Sequence, residues 1–254
     1  MSGIYKLASG MTLEMKRQES IAHNLAGSSI PGYRAEYVTS SAFTSALGNA
    51  VQDLSTGEGA GAGERTTSFS QGPIETTRRG LDFALSGDGM FEVTLNDGTP
   101  LYTRNGNFQL SADGLLTTRE GHIVSGARGP ISFPSEWNPR ELETSEDGTI
   151  LLRTSTGVET VGQLKVVTVP DDQKGSFIRA TANYFALAPK DQQLAQPATP
   201  EDCRVLGGAL EGANTSPIRE MATMIQSLRD FETAQRVMQM RSELNKAEQQ
   251  KLGS

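Results

Sequence analysis

The stretch from Ser216 to Gln250 constrains this chain more than any other. A serine followed by Pro217 is a helix start: a hydroxyl N-cap, then proline at the first helical position, where its missing N–H costs nothing. From there Ile218, Met221, Met224, Ile225, Leu228, Phe231, Met238 and Leu244 recur at the period of one apolar stripe on a helix. No Gly or Pro interrupts the pattern before Gly253. At about 1.5 Å per residue the helix is roughly 50 Å long, more than a compact domain of this size needs. Such a helix requires a partner.

The only other segment with that period lies at the opposite end of the chain. Ile4, Leu7, Ala8, Met11, Met15, Ile21, Ala22 and Leu25 form a second stripe, with Lys6, Lys16, Arg17 and Glu19 off it. Pro31 closes this segment because it cannot continue a helix. Neither helix buries its stripe alone, so the two pair with each other, with copies of themselves, or with both. The expected class is α+β: long N- and C-terminal helices pairing as a coiled-coil-like shaft, with an all-β domain of antiparallel hairpins inserted between them.

Composition narrows the function classes. A length of 254 residues allows one large or two modest domains with a real core. Apolar content of 36% with 27 glycines points to many turns and much exposed surface. A net charge of −7, with scattered basic residues, argues against a nucleic-acid groove and an anionic membrane surface. One cysteine, Cys203, excludes an internal disulfide and any multi-thiolate metal site. The first residues carry no Sec-type pattern, and no apolar run is long enough to span a membrane.

Between the helices the texture changes twice. Residues 31–71 read as an extended linker, with Gly57, Gly59, Gly61 and Gly63 in a tract too poor in apolar surface to offset chain entropy. From 72 to 205, short alternating runs such as Met90 to Leu95, Pro100 to Thr103 and Gln163 to Val169 read as strands. They are divided by Gly87-Asp88-Gly89, Asp97-Gly98, Asn105-Gly106, Asp113-Gly114 and Asp147-Gly148, dipeptides that favour tight hairpin turns. Residues 206–254 return to the C-terminal helix.

Catalytic constellations fail one by one. His23 and His122 sit in no metal-ligand spacing, and Cys203 has no acid or base beside it in sequence. Asp82 with Asp88, or Asp171 with Asp172, could be nominated as a hydrolytic carboxylate pair, but Asp88 precedes Gly and reads as turn chemistry. The Gly57 to Gly63 tract lacks the strand and helix of a dinucleotide loop. No cofactor, metal or small-molecule substrate is implied, and the chain reads as no enzyme. The alternative of another class is a secreted β-rich cell-wall hydrolase with oligomerising ends; a cytoplasmic coiled-coil adaptor is a third reading.

Positive information comes from three blocks. His23-Asn24-Leu25-Ala26, then Pro31-Gly32-Tyr33-Arg34, resembles the N-terminal signature of bacterial flagellar rod and hook axial proteins. Leu81 to Leu85, Gly87-Asp88-Gly89, Phe91, and Tyr102-Thr103-Arg104-Asn105-Gly106 with Phe108 are similar to the family's central signature in order and spacing. Leu210-Glu211, Ala213-Asn214, Met221, Met224-Ile225, Arg229 and Phe231-Glu232 resemble its C-terminal block. Gly27, Pro31 and Ala213 depart from the usual Asn, Thr and Ser.

The resemblance implies a structural axial subunit of the basal-body rod, polymerising through its terminal helices into a drive shaft that transmits torque and encloses the export channel. It is most like the proximal rod subunit, with a distal rod or hook-type subunit second. The implied assembly interface comprises Ile4, Leu7, Met11, Met15, Leu25, Met221, Met224, Ile225, Leu228, Phe231, Met238 and Leu244. Its partners would be copies of itself, other proximal and distal rod subunits, and hook or inner-membrane ring proteins. Its place would be the periplasmic rod, reached by flagellar type III export without a cleaved signal.

Overall fold

The computed structural model describes residues 2–39, 64–134, 137–138, 141–154 and 157–252. The side chains of 2–9, 241–242 and 244–252 fall outside that description, and with them the expected roles of Ile4, Leu7 and Leu244. Most of the expected Gly-rich linker, residues 40–63, also lies outside the described residues.

The chain divides into two compact units. One comprises Met1–Ala26, Glu36–Ser68 and Thr215–Ser254, the other Gly27–Ala35 and Phe69–Asn214. The second unit is antiparallel β throughout its described strands. A ten-stranded sheet runs Phe177–Arg179, Tyr184–Leu187, Pro100–Thr103, Met90–Thr94, Ile123–Gly126, Leu116–Thr117, Gln109–Leu110 along its main path. Leu142–Thr144, Thr149–Thr154 and Gly157–Gln163 form a three-stranded meander, and Cys203–Gly207 pairs with Phe83–Gly87. Alternation puts Phe83, Leu85, Phe91, Val93, Phe108, Leu116, Val124 and Ile150 inward with no exposed surface. The rings of Phe91 and Phe108 meet edge-on, centroids 5.3 Å apart.

Asp97 and Asp147 turn their hairpins by accepting the N–H two residues on, from Thr99 at 2.9 Å and Thr149 at 3.0 Å. Asn105 makes the same bond, from the Asn107 N–H at 3.1 Å, but the glycine after it differs. Gly106 lies outside the positive-φ region of a tight hairpin turn. It is glycine because of space: a Cβ there would sit 1.9 Å from the Phe83 carbonyl oxygen. Gly106→Ala is expected to destabilise this unit by ~3 kcal/mol, read as a lower urea midpoint at unchanged slope, since backbone rather than a pliable side chain must move.

The first unit contains α1 (Ser2–Gly27) and α2 (Pro217–Leu252), with the ribbon Glu36–Thr39 on Glu64–Thr67. Helix α2 begins where Ser216 and Pro217 place it, its first bond running from the Glu220 N–H to the Ser216 carbonyl. The Thr215 hydroxyl adds a bond to the Glu220 carboxylate at 2.7 Å.

The expected α+β class, with long terminal helices paired as a shaft, is corrected. The protein is predominantly β-sheet, α1 is short at 26 residues, and no long paired terminal helices are shown. The physical reason lies in how α2 distributes its apolar residues. Its more buried side carries Glu220, Met224, Ser227, Phe231, Ala234 and Met238, polar at two of its most buried positions. The links described between the helices are polar as well: Ser227 Oγ donates to Glu14 Oε1 at 2.6 Å, and Gln18 Nε2 donates to the Ser227 carbonyl at 3.5 Å. Ile218, Met221, Ile225 and Leu228 face outward, 81, 52, 55 and 47% exposed.

A buried charge hub and a candidate assembly surface

Two features deserve a functional reading, one in each unit. In the β unit, two guanidinium groups meet on one carboxylate. Arg34 and Glu211 are fully buried and Arg104 is nearly so. Arg34 Nη2 donates to Glu211 Oε1 at 2.6 Å, and Arg104 Nη1 to Glu211 Oε2 at 3.1 Å. The Gly72 N–H adds a bond to Oε1 at 2.8 Å, and Arg104 Nη2 reaches the Gly87 carbonyl at 2.7 Å. Burial pulls the Arg34 pKa below its ordinary value, opposed by the charge of Glu211.

Backbone and amide contacts close around this cluster. The Gly32 N–H donates to the Glu211 carbonyl at 2.7 Å and the Asn214 N–H to the Tyr33 carbonyl at 3.2 Å. The Asn214 side chain accepts from the Ala35 N–H at 2.6 Å and donates to the Ser70 carbonyl at 3.0 Å. Arg179 donates to the Arg34 carbonyl and stacks its guanidinium 5.1 Å from the Tyr33 ring centre and 4.9 Å from that of Phe185. Residues just after α1 and just before α2 in sequence are thereby tied to the same few atoms.

The sequence motif residues divide between packing and surface. Gly32 has φ +70, and a Cβ on it would meet the Arg104 carbonyl carbon at 2.4 Å. The departure at Gly27 also has a local cause, because the Tyr33 ring lies where a Cβ would be, 2.3 Å away. Asn24, in the helical unit, spans the backbone of Glu36 with two bonds of 2.8 Å. Leu25 is half-buried and Ala26 exposed. Phe91 is core, and Gly87 and Gly89 approach residues 202–203 closely. Asp88 is exposed and paired with Lys174 at 3.0 Å, while Arg229 and Glu232 are exposed on α2.

Sequence reading placed Gly32, Tyr33, Arg34, Arg104, Glu211 and Asn214 in the three family blocks but did not join them into one site, and it did not name Arg179. A signal for Glu211 was present. Ala209, Glu211 and Ala213 alternate along an extended segment, and all three are buried. A carboxylate on an inward face needs a buried cation.

The nominated chemistry does not assemble. Asp82 is buried with its oxygens taken by Thr77 at 2.8 Å, Arg79 at 2.7 Å and Asn107 at 2.7 Å. Three protein donors thus occupy the carboxylate that a hydrolytic pair would turn toward water. His23 lies 3.8 Å from Glu36, and His122 packs edge-on against Tyr184. Among the described residues no group of His, Cys, Asp or Glu could hold a metal ion. Burial pushes the Cys203 thiol up to about 11. Its alkylation by iodoacetamide at pH 8 is therefore expected to be ~100-fold slower in folded than in urea-unfolded protein, followed by intact mass.

In the helical unit, α2 presents the outward row Ile218, Met221, Ile225 and Leu228, a contiguous apolar strip on a helix of 36 residues. Of the twelve residues expected at an assembly interface, these last three are the most exposed on α2, Met15 is 59% exposed on α1, and Met11, Leu25, Met224, Phe231 and Met238 are half-buried. Among the described residues no helix is long and apolar enough to cross a membrane.

Arg104, Glu211 and the α2 strip lie in regions that match known families. Residues 84–152 match the flagellar hook protein FlgE/F/G D1 domain, and residues 206–250 match the flagellar basal body rod FlgEFG protein C-terminal family. The chain is 33% identical over 242 residues to the flagellar basal-body rod protein FlgF of Salmonella typhimurium, covering 92% of each. It is 30% identical over 253 residues to the flagellar basal-body rod protein FlgG of Borreliella burgdorferi, covering 94% of each. A β unit closed by a buried charge hub, and a C-terminal helix with an apolar strip turned outward, are thus the features of a chain that belongs to the flagellar basal-body rod protein family, a structural component of the flagellum.

Proposed function

We propose that the chain works as a non-enzymatic rod subunit whose outward α2 strip is its principal assembly contact. The observation that carries this reading is the exposure of Ile218, Met221, Ile225 and Leu228, within the residues that match the rod C-terminal family. A row of large apolar side chains left in water is a cost that a neighbouring subunit removes. In this reading the rod transmits torque and encloses the export channel. The hub around Glu211 keeps the β unit rigid under load, because Arg34, Arg104 and the Gly72 N–H hold the one carboxylate together.

The partners are further copies and other rod subunits, extending to hook or inner-membrane ring proteins where the rod ends. Length and the short Gly-rich segment after Ser45 favour the proximal subunit over a distal or hook-type one. Export through the flagellar apparatus without a cleaved signal completes the proposal. Purified basal bodies test it: the chain is expected in the rod fraction with its N-terminal residues intact. Its absence from that fraction in a motile strain that expresses it overturns the proposal.

A further inference from the structure

The helical unit holds a second feature that the outward strip does not use. Helix α1, the strand Glu36–Thr39 and the first turns of α2 border a groove of about 510 Å³, in the size range of cavities that take up a ligand or a row of side chains. Leu13, Ile21, Tyr37 and Val38 give it apolar walls. Its charged lining is Glu14, Glu36, Glu220 and Asp230 against Arg17 and Arg219, an acidic excess. Ser20, 2% exposed, also lines it, and its hydroxyl has no hydrogen-bond partner among the described residues.

Helix geometry relates this groove to the strip. At about 100° per residue, Arg219, Glu220, Thr223 and Asp230 cluster on one side of α2, while Ile218, Met221, Ile225 and Leu228 cluster on roughly the opposite side. Arg229, Glu232 and Arg236 continue the strip's side; Arg236 pairs with Glu232 at 4.0 Å, which leaves Arg229 as the basic charge beside the strip. One helix therefore carries an apolar ridge flanked by Arg229 and, behind it, one wall of an acidic-lined groove.

Resting on the rod reading above, we propose that the α2 strip of one copy seats in the α1–strand–α2 groove of the next copy. Ridge and groove are different surfaces, so the contact is heterologous: it repeats head to tail, as an open helical array where the rotation between copies does not close, and it never makes a two-fold dimer. Apolar side chains fill the Leu13, Tyr37 and Val38 side, and Arg229 meets the acidic lining. A strip-to-strip contact would instead be isologous, would close at two copies, and would leave the groove empty.

Cysteine cross-linking in basal bodies decides between them. Tyr37 and Ile225 are 48 and 55% exposed, so Tyr37→Cys and Ile225→Cys leave the monomer's packing intact, and the native Cys203 is buried. The double variant, mildly oxidised in isolated basal bodies, is expected to give a ladder of disulfide-linked copies, with each single variant giving none. Arg17→Cys with Leu228→Cys provides a second pair on exposed positions and is expected to give the same ladder. Dimers from Ile225→Cys alone, or links only to a different rod subunit, overturn the contact. Incorporation without any ladder from either pair also overturns it while leaving the rod reading standing. Wild-type chain missing from the basal bodies overturns the rod reading itself.

Discussion

Glu211→Ala lowers the melting temperature of the β unit by ~10 °C, the largest single-site loss expected in this protein. Glu211 is the partner of both Arg34 and Arg104, at 2.6 and 3.1 Å, in a site with almost no exposed surface. Arg34 already has Nε and Nη1 buried without a hydrogen-bond partner among the described residues. Removing the carboxylate leaves two guanidinium groups in low dielectric with no counter-charge, a change of ~3–5 kcal/mol for a buried pair broken from one side. The Gly72 N–H loses its acceptor in the same step. Differential scanning calorimetry checks the value. The control is the triple replacement Arg34→Met, Arg104→Met, Glu211→Leu, which removes the charges together and is expected to recover most of the loss, because desolvation is then no longer opposed by nothing. A single variant as stable as wild type would mean that water reaches the site and screens it.

How much of this was legible in the sequence depends on the range of the interaction. The start of α2 at Pro217, the Asp-Gly turns and the alternating core strands are set by neighbours a few residues apart, and local chemistry states them directly. The helices' apolar period was equally visible, but not its division into two sides. Met224, Phe231 and Met238 lie on the half-buried side, while Ile218, Met221, Ile225 and Leu228 face outward, and only tertiary contact separates rows that share one spacing. Treating them as one stripe produced the paired shaft that the predominantly β architecture corrects. The hub was least legible, since Arg34 and Glu211 are 177 positions apart and neither stands in a charged run. Gly106 failed differently: the dipeptide Asn-Gly has a turn meaning, yet here the glycine answers to the Phe83 carbonyl from a distant strand.

Leu228→Asp is expected to abolish incorporation into the rod while leaving the purified subunit's stability unchanged. Sequence reading alone places this residue in one packed apolar stripe with Met224 and Phe231. In the structure Leu228 is 47% exposed, so the aspartate stays hydrated in the free subunit, and its effect there falls within the ~0.5 kcal/mol typical of surface changes. On assembly the same carboxylate would have to lose water against apolar neighbours, at several kcal/mol per contact, and ~1.4 kcal/mol already weakens an association tenfold. Because the contact recurs at each subunit, motility on soft agar is expected to be lost even though the variant is expressed and folded. Leu25→Asp is the informative contrast: Leu25 is half-buried in α1, so its charge is expected to destabilise the subunit itself before assembly is tested. A Leu228→Asp strain that swims normally would remove the outward face of α2 from the interface, and a variant that melts early would show that this face is packed within the subunit.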